Sequence, residues 1–337
     1  MLNIGIVGLG RMGQRHAEQL ALRTRGARLV AACSPTQSER AWAQRELGVA
    51  AVYDDFAALL RDPQVQAVAI VTPTTLHAEQ TIAALEAGKH VFVEKPLALD
   101  VATCERVEAV ARQHPELVAM VGFVRRFDPH YQEAKAQIEA GRVGRPFLVR
   151  SQTCDMNDPE GFFVRFAPTS GGIFLDCSVH DIDVARWMLG NPKALRVFAS
   201  GTIALHPGLA ACGDVDNGLA IVEFEGGAKA QLYASRTLAH GHETSTEVIG
   251  TAGSVSVGAG AHRDRVQSRD AAGVHHRVLV DFVERFAEAF QREMTAFVAA
   301  CRGEAPSPLT LSDATEATRI GVAITRSLKS GQVEGVV

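Results

Sequence analysis

From residue 1 to about residue 123, short runs of β-branched and other apolar residues alternate with longer amphipathic stretches. That is the pattern of βαβ units around a parallel sheet. The runs predict strands at residues 4–7, 29–33, 67–71, 90–93 and 118–122, with helices near 12–22, 38–47, 76–87 and 102–113. Pro63, Pro73, Pro96 and Pro115 all fall in connections, where a residue without an N–H does least harm.

After about residue 124 the pattern changes to a mostly antiparallel one, with a helix expected over residues 176–189 and then strands separated by glycine turns at Glu225-Gly226-Gly227 and at Gly250 to Gly253. From Ala228 to Ala234 the alternation is clean: Ala228, Ala230, Leu232 and Ala234 share one face, Lys229, Gln231 and Tyr233 the other. This predicts a sheet packed on one side and open on the other. Two helices close the chain, one carrying Phe282, Phe286, Phe290 and Phe297 at near-helical spacing as a core stripe, the other over 312–328. The expected architecture is α/β: a doubly wound, Rossmann-type parallel sheet over 1–123 and an α+β domain with a large, mostly antiparallel open-faced sheet over 124–337.

Composition narrows the function. The 337 residues are 47% hydrophobic and 21% charged, ordinary for a globular protein, and 34 basic against 38 acidic residues leave a net charge of -4. No basic field exists to hold nucleic acid or an anionic membrane. The apolar runs fall far short of the roughly 20 residues of a membrane span. The N-terminus reads as a strand rather than a secretory signal, and six scattered cysteines without a CxxC pair suit a reducing compartment, so a cytoplasmic location is expected.

Gly8-Leu9-Gly10-Arg11-Met12-Gly13 follows the first strand and opens the first helix, the context in which GxGxxG has a mechanism. Gly8 permits the tight turn, Gly10 lets the backbone approach a pyrophosphate, Gly13 lets helix pack on strand, and the helix N-terminus offers free N–H groups. The second strand ends in Ser34, where an Asp or Glu would bind a ribose 2′-hydroxyl, and Arg40 lies further on. NAD is therefore expected as the preferred dinucleotide, with NADP possible. Two later strands end in Thr72-Pro73-Thr74-Thr75-Leu76-His77 and Glu94-Lys95-Pro96, at the carboxyl edge that lines a doubly wound crevice. The cofactor-contacting set is thus Gly8, Gly10, Arg11, Met12, Gly13, Ser34, Thr72, Pro73, His77, Glu94 and Lys95.

With these elements, Gly122-Phe123-Val124-Arg125-Arg126-Phe127-Asp128 and the stretch from Gly171 to Asp183, the chain resembles the NAD(P)-dependent sugar and polyol dehydrogenases of the Gfo/Idh/MocA group. The Gly-Phe-x-Arg-Arg-aromatic-Asp run and the Asp176 to His180 spacing are most similar to the inositol dehydrogenase branch. The resemblance implies oxidation of a secondary hydroxyl of a cyclic polyol, with an aldose as the alternative substrate, in a homotetramer or dimer. A non-catalytic dinucleotide and sugar sensor is a further alternative, but a retired enzyme would be free to lose Lys95, Asp176 and His180.

The residues support the same chemistry. Asp176, His180, Asp183 and Trp187 stand at i, i+4, i+7 and i+11, on one helix face. An imidazole with an unperturbed pKa near 6.5 suits removal of a hydroxyl proton at neutral pH. His180 is the expected base, Asp176 its orienting carboxylate, and Lys95 the stabiliser of charge on the substrate oxygen. Arg126, Asp155 and His240 (or His242) are expected to contact substrate, with Arg125 an alternative to Arg126. His180 with Asp183 also admits a surface pair or a metal site, although no further ligand stands at a suitable spacing and none is expected.

Overall fold

The computed structural model describes residues 1–258 and 262–337. Strands β1 (Leu2–Val7), β2 (Ala27–Cys33), β3 (Ala51–Tyr53), β4 (Ala67–Ile70), β5 (His90–Glu94) and β6 (Ala119–Gly122) pair in parallel in the order β3-β2-β1-β4-β5-β6. Helices α1 (Arg11–Leu22), α2 (Gln37–Leu47), α3 (Phe56–Leu60), α4 (Thr74–Glu86) and α5 (Val101–Ala111) fill the connections. Ala67, Val68, Ala69 and Ile70 are wholly buried, which is why β4 reads as an unbroken apolar run and not as an alternation. The expected strands are present, together with β3, which the apolar pattern did not reveal. Its three half-buried residues at the sheet edge carry too little signal.

The rest of the chain continues as α6 (Pro129–Glu139), β7 (Pro146–Met156), α7 (Phe162–Ser170), α8 (Ile173–Asp176), α9 (Val179–Met188), β8 (Ala194–Thr202), β9 (Asn217–Phe224), β10 (Lys229–Leu238), β11 (Glu243–Gly250) and β12 (Gly253–Val257). A hairpin of β13 (His262–Asp270) and β14 (Gly273–Val278) follows, then α10 (Phe282–Arg285), α11 (Ala287–Cys301), α12 (Leu311–Ser330) and β15 (Glu334–Gly335). Seven strands form one sheet, β12-β11-β7-β10-β9-β8-β15, antiparallel throughout except where β7 and β10 run side by side. The predicted two-faced pattern holds: Ala230, Leu232 and Ala234 are fully buried, while Lys229 and Gln231 are exposed.

One expected helix is broken. Where the pattern suggested a continuous helix over 176–189, α8 ends at Asp176 and α9 starts at Val179. At the break the N–H groups of both Cys177 and Ser178 point to the Ile173 carbonyl, at 2.9 and 3.1 Å, so Ser178 bonds five residues back instead of four. Cys177 and Ser178 keep right-handed helical backbone angles, so His180 still follows Asp176 by roughly one turn.

The chain forms two units, one of residues 1–127 and 288–318, the other of 128–287 and 319–337. A single boundary near residue 123 does not express this. The reason lies in the aromatic stripe: Phe297 packs edge-on against Phe92 of β5 at 5.9 Å, and Phe290 against His16 of α1 at 5.5 Å, both within the first unit. Phe297 is fully buried there, and truncation of such a ring to alanine costs about 3–5 kcal/mol.

Candidate active site

In the first unit the glycine turn is shaped by the absence of side chains. Gly8 has φ +86°, and a Cβ on it would lie 2.3 Å from the Val71 carbonyl oxygen; a Cβ on Gly13 would lie 1.9 Å from the Gly8 oxygen. A Cβ on Gly10 would meet nothing within 4 Å. Gly8 and Gly13 are thus required by the turn itself, whereas Gly10 keeps an approach open. Gly10 is also the N-cap of α1 and supplies no side-chain cap, so the first N–H groups of the helix are left for an anion, with Arg11 and Met12 beside them.

The other strand ends complete this edge. Ser34 is 1% exposed, and its hydroxyl donates to Glu39 Oε2 at 2.5 Å while accepting from the Thr36 N–H at 3.1 Å. Thr72 donates its hydroxyl to Gln80 at 2.6 Å. His77, expected at the cofactor, is 1% exposed with Nε2 2.8 Å from the Thr72 carbonyl and Nδ1 2.8 Å from that of Pro96. Burial pushes its pKa down, and a neutral ring donates through only one of these nitrogens. The histidine lies between the Thr72 loop and the loop that carries Lys95, with its one N–H bonded to one of the two carbonyls.

Glu94 turns inward. Its Oε1 accepts from His16 Nε2 at 2.7 Å and its Oε2 from the Lys95 backbone N–H at 3.1 Å. Burial opposes its charge, but the His16 hydrogen bond and the nearby His16 and Lys95 charges prevail and hold the carboxyl below its ordinary pKa. The carboxylate therefore anchors the half-exposed Lys95 from behind. Close to it lies Glu293 of α11, fully buried, with no hydrogen-bond partner for either oxygen among the described residues. Burial and the Glu94 charge push its pKa well up. Arg126, expected to reach substrate, is 7% exposed and donates from Nη2 to Asp313 Oδ1 at 3.1 Å; Asp313 is held below its usual pKa in spite of burial.

In the second unit the polar groups gather around a cation that the sequence reading missed. Arg236 is fully buried, donating from Nη2 to Asp176 at 3.1 Å and from Nη1 to Asp214 at 2.9 Å. Burial alone would lower its pKa; the surrounding Cys177, Asp176 and Asp214 side chains raise it instead. Asp214 in turn accepts from the Ile173 N–H at 2.9 Å, fixing the start of α8. The orienting carboxylate expected to serve His180 is thus itself held by a buried guanidinium. A signal was present: Arg236 continues the inward-facing series Ala228, Ala230, Leu232, Ala234 by one step, a charge at a core position.

Cys177 Sγ lies 3.7 Å from Asp176 and 3.8 Å from Asp155, bringing those two carboxylates to one place. Asp155 accepts from His242 Nδ1 at 3.0 Å, and His242 Nε2 lies 2.6 Å from the Thr244 hydroxyl. Of the two histidines considered, His242 is buried in this cluster, while the His240 side chain is 52% exposed and lies 3.5 Å from Glu243. His180 is half-buried at the start of α9. Asp183 is 1% exposed, which rules out a surface pair with His180. Among the described residues no group of three or more His, Cys, Asp or Glu side chains is placed to hold a metal ion.

Residues 2–123 match the oxidoreductase family with an NAD-binding Rossmann fold, and residues 131–256 match the GFO/IDH/MocA C-terminal domain. The chain belongs to the GFO/IDH/MocA oxidoreductase family. This family member is 39% identical to a scyllo-inositol 2-dehydrogenase (NAD(+)) of Bacillus subtilis, over 97% of this chain and 94% of that one. It is 32% identical to a myo-inositol 2-dehydrogenase of Thermotoga maritima, over 97% and 96%. Its structure matches scyllo-inositol dehydrogenase from Lactobacillus casei with bound NAD(H) and scyllo-inositol at a TM-score of 0.96 and 37% identity, covering 100% of this chain and 99% of that one.

As a member of this family the chain is an NAD-dependent oxidoreductase. Its first unit fits the cofactor on its own geometry, since the open side of Gly10 and the uncapped α1 N-terminus form the place a pyrophosphate takes. No helix among the described residues is long and apolar enough to cross a membrane.

Proposed function

We propose that the chain oxidises a secondary hydroxyl of an inositol to the ketone. The observation that carries this reading is the polar cluster of the second unit, Asp155, Asp176, Arg236 and His242 with His180 beside them, in a chain that shares nearly its full length with inositol dehydrogenases. When bound, NAD would supply its nicotinamide ring as the hydride acceptor. The protein's part is to move the proton and to position the ring. His180 takes the hydroxyl proton, Asp176 favours the imidazolium that results, and Lys95 stabilises negative charge on the oxygen as the carbonyl forms.

Asp155, His242 and Arg126 are assigned to the remaining hydroxyls and to the walls that hold them. A rigid ring presents its hydroxyls in a fixed array, so several can be bound without ordering a flexible chain. myo- and scyllo-Inositol differ only in the configuration of one carbon, and oxidation there gives the same ketone from both. Either isomer fits the proposed chemistry, and the side chains around Asp155 and His242 would decide between them.

Two further assignments go with this reading. The open face of the seven-stranded sheet carries Phe198, Leu219 and Ile221, each 42–50% exposed, beside Gln231 and Tyr233, and suits packing against a second copy in a dimer or tetramer. Six free cysteines suit a reducing cytoplasm. Steady-state kcat/KM for NAD reduction over myo-inositol, scyllo-inositol, glucose, xylose and sorbitol tests the substrate. An inositol is expected to lead, an aldose in first place would move the substrate class, and sorbitol ahead of every ring compound would end the reading.

A further inference from the structure

In a dinucleotide fold the carboxylate that bars a 2′-phosphate ordinarily ends the second strand. Here that position is Ser34, and the serine cannot take over the role. It is 1% exposed, its hydroxyl proton is committed to Glu39, and its oxygen accepts from the Thr36 N–H. We propose that Glu39, in the first turn of α2, is the residue that selects NAD over NADP in this protein. The inference rests on the dinucleotide fold and is independent of which polyol is oxidised.

Three observations support the assignment. The Ser34 hydroxyl pins Glu39 Oε2 at 2.5 Å, which brings a carboxylate from the helix back to the end of β2 and leaves Oε1 to accept from a ribose 2′-hydroxyl. Arg40, the cation next to it, is already engaged at the same strand end: its Nη1 donates to the Ser34 carbonyl at 2.6 Å, and its backbone N–H bonds the Thr36 carbonyl within the helix start. The neighbouring strand β3 is followed by Asp54 and Asp55, so acidic groups surround this end of the sheet. Cys33 reports their field, because burial first and then Asp55 and Asp54 push its thiol up to about 11 against the opposing pull of Arg40. A 2′-phosphate, with a charge of about −2, would have to enter beside Glu39 with the local cation already engaged.

The test is equilibrium binding of NADH and NADPH to the purified full-length chain, followed by nucleotide fluorescence without any polyol, so that a failed substrate assignment leaves it untouched. Wild type is expected to bind NADH at least about tenfold more tightly than NADPH. Glu39→Gln keeps a partner for Ser34 while removing the charge, and is expected to shift the ratio of the two dissociation constants about tenfold toward NADPH. Glu39→Lys should shift it further, and Arg40→Ala should leave it within threefold of wild type. Equal wild-type affinities, or a shift under threefold in both Glu39 variants, would overturn the proposal. So would an Arg40→Ala shift as large as that of Glu39→Gln, which would make the cation the selector.

Discussion

The two units present different materials to a ligand. The first offers backbone: a turn made possible by missing Cβ atoms at Gly8 and Gly13, an open approach at Gly10 and the bare N–H groups of α1. The second offers side chains, with Asp155, Asp176, Asp214 and His242 drawn together from four separate segments around the buried Arg236. A backbone site fails by steric collision and is written within a few consecutive residues. A side-chain site fails by losing charge balance and exists only once distant segments have folded together.

The sharpest way to break this contrast is to separate chemistry from cofactor binding. His180→Ala and Lys95→Met are each expected to lower kcat by about 10²–10⁴-fold, with NADH affinity changed little in His180→Ala because that residue belongs to the other unit. Near-normal turnover in His180→Ala would remove it from the mechanism. Arg236→Met should come next, since it leaves Asp176 and Asp214 to face each other without their shared cation. Loss of one partner from a buried ion network costs about 3–5 kcal/mol, read as a lowered denaturant midpoint, and substrate KM should rise in whatever folds.

The glycines can then be set against each other. Gly13→Ala should destabilise the protein by about 3 kcal/mol because its Cβ collides with backbone, whereas Gly10→Ala should leave thermal stability within a degree or two and weaken NADH binding alone. Equal melting temperatures for the two variants would contradict the assignment. The smallest effect is electrostatic. Glu293 has a raised pKa in the folded state, so it favours folding below its ordinary pKa and works against it progressively as pH rises above about 4.3. Glu293→Gln should therefore raise the melting temperature by on the order of 5 °C at pH 8 and hardly at all at pH 4.

Much of the first unit was legible because its signals are local. Glycine spacing, apolar runs and proline-marked connections all lie within a few residues of the features they specify, and they pointed to five of the six strands, all but the short β3. Glu39 escaped notice because its relevance depends on a hydrogen bond back to Ser34, across a turn that the one-dimensional pattern does not close. In the second unit the alternation through β10 identified the buried face, and one more step along it reaches Arg236. What that arginine binds could not be read, since Asp176 and Asp214 stand 60 and 22 residues away. That His242 is buried beside Asp155 while His240 is exposed emerges likewise only from the folded chain, and the break between α8 and α9 only from where the Ser178 N–H goes.

The ring of Phe297 that closes over Phe92 has a consequence for how the molecule is made. A chain leaving the ribosome exposes β1 to β6 early, but the segment 288–318 that completes their unit emerges only after nearly the whole of the other unit has been synthesised. The parallel sheet must then wait with part of its apolar surface uncovered, the situation in which nascent chains depend most on chaperones. A fragment stopped after residue 127 would inherit that exposed surface permanently, so the dinucleotide-binding unit cannot be obtained by a single cut. A permuted chain that joins 288–318 directly to the end of β6 would restore its folding as one continuous piece.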